Sequence, residues 1–346
     1  IIYIKTTSEF KMSKSCTRLF DVSKLRNGTY IYKRSLQTAK LAKEQTEVKD
    51  VTIPVPWGHI SGKLWNPHLD TRPILGLHGW QDNCNTFNTL APLLPQHISL
   101  LAIDFPGHGL SSRYPDGIMY NTNDLPVILY RIQKYFGWDK MSLLGHSMGS
   151  VAAFMYCCIF PDRVDMAIGL DALKPHIMPT EKFQVMYQKK ITDFVKFDDY
   201  NVNNSEPPSY TIEEMIERWY KGTNKSVNRE FCHHLLERSV GQSKSDPNKY
   251  YFTRDKRLAS IIFPGLNQEA IISLAEKINM PFMAVKSTTS PYYEDKKYYY
   301  EVLDVLKKNS LFEHHYVDGT HHVHLNEPEK LKTILNDFIV KHRPPA

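Results

Sequence analysis

Between Met141 and Phe160 the chain reads MSLLGHSMGSVAAFMYCCIF: an apolar run, five residues that include two glycines, and a second apolar run. This pattern predicts a buried strand, a sharp hinge and a buried helix in direct succession, and few folds accommodate it. At its centre Gly145-His146-Ser147-Met148-Gly149 matches Gly-x-Ser-x-Gly, the turn that pushes a serine hydroxyl into a cleft at a strand end. Side chains two residues to either side of the serine would crowd the adjoining strand and helix, so glycine is required at both places. A pentapeptide alone recurs by chance, and its neighbours decide what it means.

Those neighbours alternate. PILGLHGW (73–80) and ISLLAIDF (98–105) are short, continuously apolar and followed by glycine-rich turns, as parallel strands covered on both faces should be. Residues 47–65 alternate apolar and polar on both sides of Trp57-Gly58, which predicts a hairpin, and Pro54 and Pro56 place it at a sheet edge. Helical spacing marks Thr86 to Leu94 and Asp124 to Phe136, and VDMAIGL (164–170) is a further strand ending on Asp171. No clear buried strand follows until PFMAVKS (281–287); a helix from Asp295 to Lys308, the strand LFEHHYV (311–317) and a helix opening at Pro328 complete the chain. The expected architecture is α/β, a mostly parallel doubly wound sheet with helices on both faces. Its core comes in two parts, 47–171 and 279–346, and residues 172–278 form a helical cap over the strand ends, where ligands bind in such sheets.

Composition narrows the class of function. Lys and Arg total 43 against 37 acidic residues, with no long basic run interleaved with aromatics after residue 50, so a nucleic-acid partner is not indicated. No stretch of about 18 apolar residues is present to span a bilayer. The five cysteines, Cys16, Cys84, Cys157, Cys158 and Cys232, are too scattered for a disulfide framework and lack zinc-site spacing; a reducing, intracellular compartment is expected. Residues 1–46 read as a basic extension. From Met12 to Lys43 there are eight Lys or Arg and one acidic residue, Asp21, a composition shared by mitochondrial transit peptides and by loosely docked basic arms, so the cytoplasm and the mitochondrion are both open.

A nucleophilic serine needs a base, an acid to orient the base, and donors for the oxyanion, with serine, acid and histidine in that chain order in an architecture of this kind. Gly319-Thr320-His321-His322-Val323-His324 follows the last strand; His321 is the expected base, with His322 and His324 as loop residues packed against Leu325 or the cap. Backbone N–H groups of Met148, next to the nucleophile, and of Trp80, after His78-Gly79, are the expected oxyanion donors. The loop after PFMAVKS, Ser287 to Tyr292, holds no carboxylate before Glu294 and Asp295. Asp171, at the end of the preceding strand, is therefore the better acid, with Asp295 in reserve.

The motifs LHGW (77–80), DFPGHGLSS (104–112), GHSMG (145–149), FPDRV (160–164) and HHVHLNEPEKL (321–331) resemble those of the α/β-hydrolase superfamily over residues 47–340. LDALKP (170–175) and FTRDKRL (252–258) are similar to the narrower group of kraken-like serine hydrolase-like proteins. The resemblance implies Ser147 as nucleophile, His321 as base, and Trp80 and Met148 as oxyanion donors, with Asp104, His108 and Ser111 as structural residues near the site. It also implies that the acid has shifted to Asp171, as in some members of the superfamily. The expected activity is hydrolysis of small to medium apolar carboxylic esters, with no cofactor or metal called for by that chemistry. The alternatives are a ligand-binding protein on a hydrolase fold and, on the same fold, carbon–carbon cleavage or perhydrolysis. Dehalogenase and epoxide-hydrolase chemistry are disfavoured, since they use a carboxylate where Ser147 stands.

Overall fold

The computed structural model describes residues 47–345 except 68, 70, 204–206 and 263–265; the expectations for the basic extension and Cys16 lie outside them. Eight strands form the main sheet: β1 (Val48–Val55), β2 (Gly58–Trp65), β3 (Ile74–Leu77), β4 (Leu100–Ile103), β5 (Met141–His146), β6 (Val164–Leu170), β9 (Phe282–Ser287) and β10 (Phe312–Val317). Their order is β1-β2-β4-β3-β5-β6-β9-β10. From β4 to β10 all neighbours are parallel, and the β1–β2 hairpin adds antiparallel strands at one edge. Pro54 and Pro56 thus sit on or beside the edge strand, where a missing N–H costs no ladder bond.

Alternation along the strands splits the core into two layers. Leu75, Leu101, Leu143, Ala167 and Phe282 pack with the helices Leu125–Phe136, Met148–Ile159 and Lys296–Leu306 on one face. Ile74, Leu100, Leu144, Met166 and Met283 pack with Phe87, Leu90, Leu331 and Phe338 on the other. Strands buried on both sides are mostly apolar, which is why β3 and β4 read as unbroken apolar runs and β5 and β9 as runs broken only by Ser142, His146, Lys286 and Ser287. The fold is the expected doubly wound α/β sheet.

Two local expectations fail. Residues 86–94 form no α-helix; short 3-10 turns at Cys84–Phe87 and Ala91–Leu93 replace it. Asn83 caps the first by accepting the Asn85 N–H, and Pro92 opens the second, so side-chain bonding and a missing donor break the helical ladder. Between β6 and β9 the chain also makes two strands that were not foreseen, β7 (Val240–Gln242) and β8 (Tyr250–Phe252), paired antiparallel. Neither is buried, so neither shows as an apolar run.

This insertion carries its own small core of Met215, Trp219, Val227, Cys232, Leu235 and Leu236, which Leu325 from the main domain completes. Its helix Ile212–Gly222 starts in a capping box made by Thr211 and Glu214. Its last helix, Gln268–Ala275, contributes Ile271 and Ala275 to the core layer of the Met148–Ile159 helix instead. No helix among the described residues is long and apolar enough to cross a membrane, and Cys84, Cys157, Cys158 and Cys232 are buried free thiols.

Candidate active site

Ser147 stands between β5 and its helix at φ 53°, ψ −116°, a conformation that costs a non-glycine residue about 1–3 kcal/mol. The packing around it explains the glycines. A Cβ on Gly145 would strike the Gly149 carbonyl, and one on Gly149 would strike the Leu77 carbonyl of β3. The Ser147 amide is tied to the Leu170 carbonyl at the end of β6 (3.0 Å), and its carbonyl accepts from Val151 (3.0 Å). The strained turn is therefore clamped from the neighbouring strand and from its own helix.

Asp171 follows β6 directly, with φ 54°, and donates its backbone N–H to Val285 of β9 (2.8 Å). That turn brings its carboxylate to His321 Nδ1, 2.5 Å from Oδ2. The other oxygen, Oδ1, accepts from Lys286 Nζ (2.7 Å) and from the Ser287 N–H (2.8 Å). Lys286 is buried and also donates to the carbonyls of Ser290 and Ser287 (3.0 and 3.2 Å). Sequence reading missed it, since it lies inside an apolar strand; a lone lysine there was the signal, because a buried ammonium needs a carboxylate partner. Asp295, the reserve, is exposed and caps the Lys296–Leu306 helix by accepting from Lys297 (3.0 Å).

The structure brings Ser147, Asp171, His321, Trp80 and Met148 to one cavity of about 820 Å³. Trp80's indole walls it and donates to the Leu258 carbonyl of the insertion (2.8 Å). Behind the Trp80 loop, His78 Nδ1–H donates to the Gly79 carbonyl (2.7 Å) while Nε2 accepts from Phe105 (2.9 Å), and His108 Nε2 accepts from Gln81 (3.1 Å). Burial holds His78 neutral, its pKa lowered to about 4, and pulls His108 well below the usual histidine range. Asp104 accepts from Cys84, Leu110 and Arg238, and Ser111 Oγ donates to the Asp104 carbonyl (2.5 Å). These residues fix the loop that carries Trp80.

His322 and His324 are more deeply placed than loop residues. His324 is fully buried with Nε2 on Thr86 Oγ1 (2.8 Å), and His322 Nδ1 meets Ser226 Oγ of the insertion (2.8 Å). Both rings tilt against that of His146, with centroids 4.7 and 4.1 Å from it. Burial pulls all three well below the usual range. The same effect raises the buried Asp82 carboxyl beside them to about 7. The loop bearing His321 is also pinned to the insertion: Thr320 Oγ1 and Asn326 Nδ2 both donate to the Ser226 carbonyl (2.7 Å each), and Asn228 donates to Asn326 (3.1 Å).

A family described as alpha/beta hydrolase fold matches residues 72–328. A probable serine hydrolase of Drosophila melanogaster is 33% identical, covering 84% of this chain and 87% of its own length. Serine hydrolase-like protein 2 of Homo sapiens is 30% identical, covering 86% and 96%. Among solved structures, a hypothetical protein of Pseudomonas aeruginosa superposes with a TM-score of 0.68 at 25% identity, covering 85% of this chain and 98% of that one.

Proposed function

The chain belongs to the alpha/beta hydrolase fold family, and from that premise we propose that it hydrolyses carboxylic esters through an acyl-enzyme on Ser147. The observation that carries this reading is the Asp171–His321 contact, made at the rim of the same cavity as the strained serine. Ser147 Oγ attacks the ester carbonyl while His321 Nε2 takes its proton, and Asp171 holds the imidazolium through Nδ1–H. The backbone N–H groups of Trp80 and Met148 receive the oxyanion. The tetrahedral intermediate collapses, His321 returns the proton to the departing alcohol, and the acyl group stays on Ser147. Water, deprotonated by His321, then attacks the acyl carbon, and the acid leaves with Ser147 restored.

The cavity suits an ester of moderate size with an apolar body, since Val151, Ile177, Met186 and Trp219 line it. Arg254 adds a charge: its guanidinium lies over the rings of Phe252 (4.7 Å) and Trp219 (5.6 Å), and no carboxylate pairs with it among the described residues. Burial lowers its pKa only to about 10, so it is cationic at neutral pH and favours esters with an anionic end. Supporting the reading, the relatives are named a probable serine hydrolase and a serine hydrolase-like protein. The contact of Asp171 with His321 supports the hydrolase reading over the ligand-binding alternative, since a carboxylate meets the histidine although the loop after β9 lacks one.

Covalent capture by a fluorophosphonate probe is the test: the wild-type chain labels at Ser147, and Ser147→Ala does not. Absent labelling of the wild type, or labelling that survives Ser147→Ala, sinks the proposal. A panel of neutral and ω-carboxylated acyl esters then reads the role of Arg254. Equal rates for both classes in the wild type and Arg254→Met would refute the anionic preference.

A further inference from the structure

Three buried side chains beside Ser147 take no part in the proposed chemistry. Asp82, His146 and His322 are 5%, 0% and 7% exposed, and each turns one donor atom toward the other two, all within 4.8 Å of one another. His322 Nε2 lies 3.9 Å from Asp82 Oδ2, beyond hydrogen-bond reach. Asp82 Oδ2 and His146 Nδ1 have no hydrogen-bond partner.

The surrounding bonds settle which atoms carry lone pairs. His146 Nε2 faces the His321 carbonyl at 2.9 Å, an acceptor only, so the proton is on Nε2 and Nδ1 is bare. Ser226 Oγ gives its proton to the Thr223 carbonyl (2.7 Å), so it accepts from His322 Nδ1–H, which leaves His322 Nε2 bare. Asp82 Oδ1 is occupied by the Asn83 N–H (2.8 Å), and Oδ2 is free. Three electron-pair donors thus converge in a largely buried part of the cavity wall. Such a group is costly unless something positive joins it.

We propose that Asp82 Oδ2, His146 Nδ1 and His322 Nε2 are the ligands of a divalent transition-metal site, best suited to zinc, in the wall of the Ser147 cavity. Two imidazoles and one carboxylate with an open fourth position are the donor set that zinc takes where it meets a ligand. Each histidine already makes through its second nitrogen the outer bond that fixes a metal-binding tautomer, to a carbonyl in one case and a serine in the other. Ligand atoms bound at about 2.1 Å to one ion lie roughly 3.4 Å apart, so small side-chain rotations close the trio. Asp82, His146 and His322 line the same cavity as Gly79 and Ser147. The fourth position therefore looks into the cavity.

The test is titration of the metal-free, reduced full chain with zinc, and with cobalt(II) as a spectroscopic probe. One ion should bind per chain, with cobalt d–d bands of a nitrogen–oxygen site and no thiolate charge-transfer band. Asp82→Asn and His322→Gln should each weaken binding by about 30-fold or more, while His233→Gln/His234→Gln, on a pair outside the site, should not. Circular dichroism and thermal midpoints without metal show whether each variant is folded, and the wild-type cobalt spectrum decides the matter even if one is not. Saturation absent in the wild type, a thiolate band, or unchanged affinity in both folded site variants would overturn the proposal and leave the trio to a proton or a water. None of these readouts needs turnover, so the metal site and the esterase reading stand or fall separately.

Discussion

Asp171 with His321, and Asp82 with His146 and His322, are both buried carboxylate–histidine groups in the wall of one cavity, yet their hydrogen bonds differ atom by atom. Asp171 spends both oxygens: Oδ2 on His321, Oδ1 on Lys286 and the Ser287 amide. Asp82 spends one, and the two histidines beside it each hold a bare nitrogen toward the other. A satisfied group is rigid and ready to orient a base; an unsatisfied one is poised to take something in. Residue type alone does not distinguish them; the partners at the second atom do.

The largest way to break the comparison is at Asp171. Asp171→Asn keeps the shape but gives His321 the wrong tautomer, and kcat for an ester should fall by about 10²–10⁴-fold, while Asp295→Asn, on an exposed helix cap, changes it less than about twofold. Steady-state kinetics of both variants check the assignment, and the reverse outcome would transfer the role to Asp295. Next is His78, whose two ring nitrogens are both engaged. Its folded pKa of about 4 lies below the unfolded value of 6.5, so its stabilising contribution is full above pH 6.5 and is lost as pH falls toward 4. The stability gap between wild type and His78→Gln should narrow by about 2 kcal/mol from pH 7 to pH 5, read from urea midpoints. Ser226→Ala removes the outer partner of His322 and should weaken zinc by about 10–100-fold. Lys286→Met leaves one Asp171 oxygen with only its amide donor, and kcat should drop about tenfold at constant KM.

The sheet was legible because strands covered on both faces are mostly apolar, and β3, β4, β5, β6 and β9 announce themselves. The serine turn was legible for a similar reason, since Gly145 and Gly149 have no room for a side chain. Asp171 reached the list by elimination, as the loop after β9 lacked a carboxylate. Lys286 did not, because one charge in an apolar strand carries no period. The Asp82–His146–His322 convergence joins the end of β5 to two separate loops, and no spacing in the chain encodes it. The half-exposed strands β7 and β8 escaped because, unburied, they show no apolar run, and the 3-10 turns near Asn83 because side-chain bonding and Pro92 interrupt the helical ladder.

The pinning of the His321 loop to Ser226 and Asn228, with Leu325 plugged into the insertion's small core, has a mechanical consequence. Lifting the insertion as a free lid would break these contacts and pull the loop that bears His321 with it. In the proposed reaction the substrate threads in past a standing roof, and hydrogen exchange in residues 210–240 and 319–326 should rise together as one cooperative unit. On the proposed mechanism, heat or a loosening mutation in the roof would then abolish ester turnover before the sheet beneath it melts.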